Sequence, residues 1–501
     1  MSLLWPIVTQ ALRNPHRIAV IDDHRTFLFG QILGGAMVAA EEIDTRTSAP
    51  HVGILLPTGG SFHLALLGTW LAGRVPVPLN YLLNSEELSY VIRDSNIDTI
   101  ITVAPILEVI GGPDGIPDHV QLLDLTELEW SGFPPLRWPP LPRNDDLSVI
   151  LYTSGTSGRP KGVMLTHGNL HSNVDATIIH ANITQADTFL GVLPQFHSFG
   201  LTALTLIPLR VGAQAVYSAR FVPRRIVQLI SEHRPDIMMA VPSMYGALLT
   251  VKEAGADDFK SIRLAVSGGE PLPQATFDAY RDRFQLRLLE GYGLTETSPV
   301  TNWCTQHEFK HHSVGRALPE VTNLVVDEHD APLPPDHEGE ILIAGPNIMK
   351  GYYHLPRETS QVFVRLPDPK NGRLVRYFRT GDIGRIDREG FLFITGRKKE
   401  MLIIAGENVF PREIEEVLNR HDTVGDSAVI GLADGVRGEV PIAFVEIKDG
   451  NTLDISALRT WCSQSLASYK VPREIRQVDS LPRNPTGKIL RRHLVEALKS
   501  E

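Results

Sequence analysis

The sequence has almost no cysteine. Cys304 and Cys462 are the only two in 501 residues, and no C-x-x-C occurs. That excludes a disulfide-stapled scaffold and argues against a cysteine zinc site or a redox pair. Two isolated thiols suit a reducing, cytoplasmic setting. An excess of basic charge is also missing. Asp and Glu number 58 against 48 Lys and Arg, a net charge of −10. The chain as a whole is no polyanion binder, so any phosphate site must be built locally. Uninterrupted apolar runs of membrane-spanning length are absent too. The stretches 52–73 and 188–209 carry no Asp, Glu, Lys or Arg, but Pro57-Thr58-Gly59-Gly60-Ser61 breaks the first and Pro194, His197 and Gly200 break the second. A bilayer helix needs about 20 largely unbroken apolar residues, so each stretch reads as a buried strand, a turn and a buried helix. Met1-Ser-Leu-Leu-Trp-Pro6 has no basic residue ahead of its apolar part, so no signal peptide is expected. No G-x-S-x-G, internal repeat or low-complexity tract occurs.

The composition, 43% apolar and 21% charged, is that of an ordinary globular protein of two to four domains. Short apolar runs alternate with helical patterns through the first 290 residues, as in 52–56, 61–73, 75–79 and 97–103. Pro76 and Pro78 point to an edge strand. Asn84 and Glu87 have capping-box spacing. The Pro-rich stretch 131–146 reads as a connector. The rhythm resumes with strands near 147–152, 189–193, 213–217, 236–240, 263–266 and 286–290, and helices near 222–233 and 273–284. This predicts an α/β fold of parallel-rich sheets with covering helices. From about Ser313 short strands and turns dominate, including a hairpin at Asp387-Arg-Glu-Gly390, which predicts a β-rich subdomain over 313–396. Helix 411–420, strands 428–432 and 442–447 and helix 453–466 suggest a compact α+β domain at the end.

The densest chemical signal is Tyr152-Thr-Ser-Gly-Thr-Ser-Gly-Arg-Pro-Lys-Gly162, between a predicted strand and a helix starting near His167. Its glycines let backbone N–H groups turn toward one point. Thr153, Ser154, Thr156 and Ser157 add hydroxyls and Lys161 adds a charge, which suits phosphate oxygens. Pro160 before the lysine and Gly162 after it exclude a Walker P-loop. A plain Gly/Ser surface loop would read the same way. A second signal is Glu290-Gly-Tyr-Gly-Leu-Thr-Glu-Thr-Ser298 after a strand, where open α/β sheets bind ligands. Gly291 and Gly293 allow close approach, Tyr292 offers a ring for a base, Thr295 a hydroxyl and Glu296 a hard oxygen for Mg²⁺. Further pieces are Ser267-Gly-Gly-Glu270, Arg379-Thr-Gly-Asp382, Gly396-Arg-Lys-Lys-Glu400 leading to Ala405-Gly-Glu-Asn408, and Asn484-Pro-Thr-Gly-Lys488.

In order and spacing these six motifs resemble the adenylate-forming superfamily, which includes acyl-CoA synthetases, beetle luciferases and peptide-synthetase adenylation domains. The resemblance covers nearly the whole chain; residues 1–140 match least specifically and carry no site motif. It implies a large domain over 1–396, a hinge at 397–399 centred on Lys399, and a small mobile lid domain over 400–501. It implies that Thr153, Ser154, Gly155, Thr156, Ser157, Gly158 and Lys161 hold the β- and γ-phosphates of ATP. Gly268, Gly269, Glu270, Gly291, Tyr292 and Gly293 would line the adenine pocket. Thr295 would bind the α-phosphate, Glu296 the Mg²⁺, and Asp382 with Arg397 the ribose. Lys488 matches the adenylation lysine, Gly406 the glycine lining the pantetheine tunnel, and His197 the histidine at the acyl pocket.

The function implied is an ATP-dependent acid–thiol ligase. It would make an acyl-AMP with release of pyrophosphate, then pass the acyl group to coenzyme A or to phosphopantetheine on an acyl carrier protein. Residues 193–209, with Phe196, Phe199, Leu201, Leu204 and Leu206, carry no Lys or Arg, which favours a medium- or long-chain fatty acid, although core packing alone would give the same pattern. An aryl acid of the coumarate or benzoate kind is the alternative, and a non-catalytic nucleotide-binding homologue a remoter one. His171 and Asp175 form an i,i+4 pair expected on a solvated helix face. Neither nucleic acid nor a transmembrane segment is implied, and monomer and homodimer both stay open.

Overall fold

The computed structural model describes residues 2–112, 115–128, 134–153, 159–369, 371–404, 406–434, 437–448, 450–483 and 487–499. Two parallel-rich sheets form the frame. The smaller has four strands in the spatial order Val75–Pro78, His51–Leu55, Thr99–Thr102, Gln121–Asp124. The proline-bearing strand is at its edge, where a missing N–H costs no ladder bond. The larger has nine strands. At its centre Gln214–Tyr217, Thr188–Gly191, Ile237–Ala240, Leu264–Ser267 and Leu288–Gly293 run parallel.

Both charge-free stretches are interior. The first is strand His51–Leu55 followed by helix Gly60–Leu71, of which only Ser61 is not fully buried. A helix apolar all round must be covered on every side, and it packs on Phe29–Arg46 so closely that a Cβ on Gly68 would lie 2.8 Å from that of Ala39. The second is strand Thr188–Gly191 and a helix from Ser198 to Val211 with a π turn at Thr202–Leu206. Among the described residues no helix is long and apolar enough to cross a membrane. The box at Asn84 forms as expected: Glu87 N–H donates to Asn84 Oδ1 at 2.9 Å and Asn84 N–H to Glu87 Oε2 at 3.4 Å.

The Thr/Ser/Gly-rich loop follows a strand and lies ahead of a helix starting at His167, as expected, but a further strand that the sequence did not show stands between them. Leu147–Thr153 pairs antiparallel with a second strand, Lys161–Thr166, and Gly351–Tyr352 adds to its outer edge. The helix follows at His167–Ala181, capped by Thr166. Another difference concerns His171 and Asp175, which are half-buried and lie 3.5 Å apart, with Arg210 on the same carboxylate at 3.1 Å.

The hairpin at Asp387–Gly390 joins strands Leu374–Ile386 and Leu392–Arg397. Beyond it a separate C-terminal domain is built on a five-stranded sheet, Leu402–Ile404, Glu407–Val409, Val424–Asp434, Gly438–Ile447 and Glu474–Val478. Helices Pro411–Asn419 and Ile455–Ser465 cover it, burying Ile414, Leu418, Leu458 and Cys462 against Val429 and Val445.

Candidate functional site

The parallel strands Ile237–Ala240, Leu264–Ser267 and Leu288–Gly293 end side by side. Their carboxyl ends deliver the turns at Ser267–Glu270 and Leu294–Ser298 to one edge of the sheet, the side on which open α/β sheets bind ligands. Gly268 faces the Gly291 carbonyl: a Cβ there would lie 3.4 Å from it and 3.3 Å from the Phe199 ring. Gly293 admits no side chain at all, because a Cβ would stand 1.9 Å from the Pro299 carbonyl oxygen. Of the five apolar residues singled out in the neighbouring segment, Phe196, Leu201, Leu204 and Leu206 are buried in the interior. Phe199 is half-buried and forms the wall beside Gly268. Thr295 lies within 3.0 Å of Ser198 Oγ, two hydroxyls at the mouth of the same turn.

The antiparallel hairpin brings in Lys161. Its ammonium lies 5.2 Å from the centroid of Tyr352, and Tyr352 Oη donates to Glu296 Oε1 at 2.8 Å. One tyrosine thus links the lysine that closes the loop to the carboxylate of the strand-end turn. Ser154, Gly155, Thr156, Ser157 and Gly158 lie outside the described residues. The base of their loop rests on the N-terminal region: Tyr152 Oη donates to Asp94 at 2.6 Å, and Arg159 sits 5.5 Å over the Tyr90 ring.

Asp382 and Arg397 are register partners on the paired strands, and Arg397 Nε meets Asp382 Oδ1 at 3.1 Å. Tyr292 Oη donates to the other carboxylate oxygen. Burial pushes the Asp382 carboxyl up, opposed by Arg397 and by the Tyr292 bond. The same carboxylate holds the Arg397 guanidinium above its ordinary value.

Lys488 arrives from the C-terminal domain and is half-buried here. Burial, with Arg397, holds its amine below the ordinary lysine value, while Glu400, Asp382 and Glu270 oppose the shift. His197 is pushed down to about 4 by burial and by the charge of Lys488. Glu270 is pushed up to about 7 by burial, against the pull of Arg483. Four charged groups, Arg397, Glu400, Asp382 and Glu270, therefore act on one ammonium, and that ammonium acts on His197. Gly406 stands apart. It is exposed on the turn between Leu402–Ile404 and Glu407–Val409 with φ +88°, and a Cβ there would meet nothing within 4 Å.

Three neighbours of the site received no role from the sequence: Ser198, Tyr352 and Glu400. Tyr352 pairs through a two-residue strand, which leaves no local pattern. Among the described residues no cluster of three or more His, Cys, Asp or Glu forms a metal cage. A single carboxylate such as Glu296 suits Mg²⁺, which keeps waters and arrives with substrate phosphates rather than occupying an all-protein site.

Comparison with known proteins agrees with this geometry. Residues 7–353 match the AMP-binding enzyme family, and residues 413–488 the AMP-binding enzyme C-terminal domain. A long-chain-fatty-acid–CoA ligase of Bacillus subtilis (strain 168) is 30% identical, covering 98% of this chain and 93% of its own length. A feruloyl-CoA synthase of an Amycolatopsis species is also 30% identical, covering 97% of each. The crystal structure of ATP-bound MatB from Rhodopseudomonas palustris superposes with a TM-score of 0.90 at 28% identity, covering 100% of this chain and 99% of that one.

Proposed function

The chain belongs to the AMP-binding enzyme family, and on that premise we propose that it is an AMP-forming acid–thiol ligase. It activates a carboxylic acid as an acyl-adenylate and passes the acyl group to the thiol of coenzyme A. One observation carries this reading: Lys488 belongs to the C-terminal domain, yet it is half-buried where Arg397, Asp382 and Glu270 act on its charge and its own charge acts on His197.

A carboxylate is a poor electrophile, because attack on it adds charge to an anion. Bonding it to AMP supplies a leaving group, but the two anions must first meet. At ~4 Å two unit charges repel by ~4 kcal/mol at an effective dielectric of 20. In this reading the Lys488 ammonium offsets that repulsion by standing between the acid and the α-phosphate, with Thr295 on the phosphate. Asp382 and Arg397 fix the ribose, and Gly268, Gly269, Gly291 and Tyr292 frame the base. Thr153, Lys161 and the loop between them receive the departing pyrophosphate. Mg²⁺ held by Glu296 and the phosphates would supply further charge neutralisation. His197 and Phe199 face the acyl side.

The division 1–396, 397–399 and 400–501 follows from the same reading. Lys488 is turned into the site while Gly406 is exposed, as expected if the C-terminal domain rotates about Lys399 to present a different face to the thiol. The acid is a monocarboxylate with an apolar tail, of medium or long chain. The apolar wall of Phe199 and the fatty-acid ligase relative support this. The feruloyl-CoA synthase relative and the aromatic character of that wall favour an aryl acid as the second reading. Pyrophosphate exchange with a panel of fatty and aryl acids, followed by comparison of CoA and carrier-protein thiols, separates them. Exchange with no acid would refute the ligase.

A further inference from the structure

The segment that carries Lys488 is closed on itself. Arg483 and Ile489 face each other in an antiparallel bridge, and Leu490 N–H donates to the Pro482 carbonyl at 2.7 Å. Inside this closure Arg483 Nη1 donates to the Gly487 carbonyl at 3.0 Å, the residue immediately before the lysine. Its Nη2 is ion-paired with the Asp426 carboxylate. Asp426 is itself anchored: its Oδ1 accepts from Ser427 N–H at 2.8 Å and from Asn419 Nδ2 at 3.1 Å.

The same segment abuts the large domain. Gly487 has φ +92°, and a Cβ there would stand 2.5 Å from Ser243 Oγ on helix Pro242–Leu248. Across that boundary the charge of Arg483 acts on the Glu270 carboxylate more strongly than that of Asp426, Lys488 or Arg491. In this domain arrangement the guanidinium is ion-paired with a carboxylate of its own domain, and its charge acts on one of the other. A lysine side chain has a long flexible stem, so where its ammonium points depends on how firmly its backbone is held.

We propose that Arg483 is a positioning residue for Lys488: it ties the Gly487 carbonyl to Asp426 and so fixes the direction in which the lysine leaves the backbone. The fork of two donors is what the task requires. A lysine at position 483 would keep the charge and lose the second simultaneous bond. The inference rests on the ligase reading. It concerns the adenylation half-reaction alone, because the Lys488 face is the one that half-reaction uses.

The test uses the full chain with Arg483→Met, Arg483→Lys and Asp426→Asn, measuring each half-reaction separately. The clamp predicts that Arg483→Met lowers the turnover of acid-dependent pyrophosphate exchange by about 10²-fold, the scale of a misplaced catalytic group. The KM for ATP and the rate of thioester formation from supplied acyl-adenylate stay within about twofold. Arg483→Lys recovers part of the loss, and Asp426→Asn combined with Arg483→Met is non-additive. A readout independent of turnover is labelling of Lys488 by an amine-reactive reagent, relative to Lys260 on the surface; Arg483→Met raises it. Wild-type exchange with unchanged labelling overturns the clamp. So does equal loss of both half-reactions with a lowered melting temperature, which marks a merely structural role. If the unaltered protein exchanges with no acid, the ligase reading fails, and the labelling ratio alone still decides the clamp.

Discussion

Tyr352 donates its phenolic hydrogen to Glu296 at 2.8 Å, while its ring faces the ammonium of Lys161. A two-residue strand thus sets the direction of a carboxylate 56 positions away. A hydrogen bond to a charged group contributes about 1.5–3 kcal/mol. Tyr352→Phe is expected to weaken adenylation by roughly tenfold or more and to raise the Mg²⁺ concentration needed for half-maximal pyrophosphate exchange. Titrating exchange against Mg²⁺ checks this. An unchanged Mg²⁺ dependence would separate the tyrosine from the metal site.

Acid stability depends on buried titratable groups, two of them histidines outside the site. His63 is buried with Nδ1 on the Gly59 carbonyl and Nε2 near Tyr217 Oη, and burial pushes it down to about 4; His167 is likewise pushed down to about 4. A base with a lowered folded value stays neutral while the unfolded chain takes up the proton. Stability is therefore lost as pH falls from about 6.5 toward about 4. Glu270 and Glu290, both pushed up to about 7 by burial, act in the opposite direction, since the folded state binds their protons first. The difference between the wild-type protein and His63→Gln isolates one histidine. Melting temperatures from pH 7 to pH 4 should fall less steeply in the variant, and parallel curves would remove His63 from the acid response.

The exchange reaction should also have an early alkaline limit. Burial and Arg397 hold the Lys488 amine below the ordinary lysine value, and adenylation needs the charged form. Activity falls as pH rises through that lowered value, sooner than a solvated lysine would impose. Arg397→Gln removes a repelling neighbour and should move the limit upward. A profile flat to pH values above the ordinary lysine range (about 10.4) would count against a catalytic ammonium.

Lys399 follows strand Leu392–Arg397 and precedes the first strand of the C-terminal sheet. A proline there fixes φ and removes the freedom that a hinge requires. Lys399→Pro is expected to spare pyrophosphate exchange and to block thioester formation. Equal loss of both half-reactions would contradict rotation about this residue.

The sequence made legible what is local or what recurs at fixed spacing. The Asn84 box, the edge prolines and the hairpin at Asp387–Gly390 all follow from neighbours a few residues apart. The pairing of Asp382 with Arg397 needs more than that hairpin: a one-residue register shift between Ile383 and Gly384 brings it about. The strand Lys161–Thr166 was hidden because Val163–Leu165 is too short a run to tell strand from helix approach. Tyr352 and Ser198 reach the site only through long-range pairing. The half-buried setting of His171 and Asp175 depends on Arg210 from another helix, which i,i+4 spacing cannot show. Arg483 lay beside a recognised motif, but its role appears only once Asp426 is seen against it.

The convergence on Lys488 is tested most directly by acid-dependent pyrophosphate exchange in Lys488→Ala. Removing a positioned charge of this kind costs on the order of 2.7–4 kcal/mol, or 10²–10³ in rate. The expected result is exchange in the wild-type protein with at least one apolar acid and near-complete loss in the variant, with its fold intact. Wild-type exchange rates in Lys488→Ala would contradict the account.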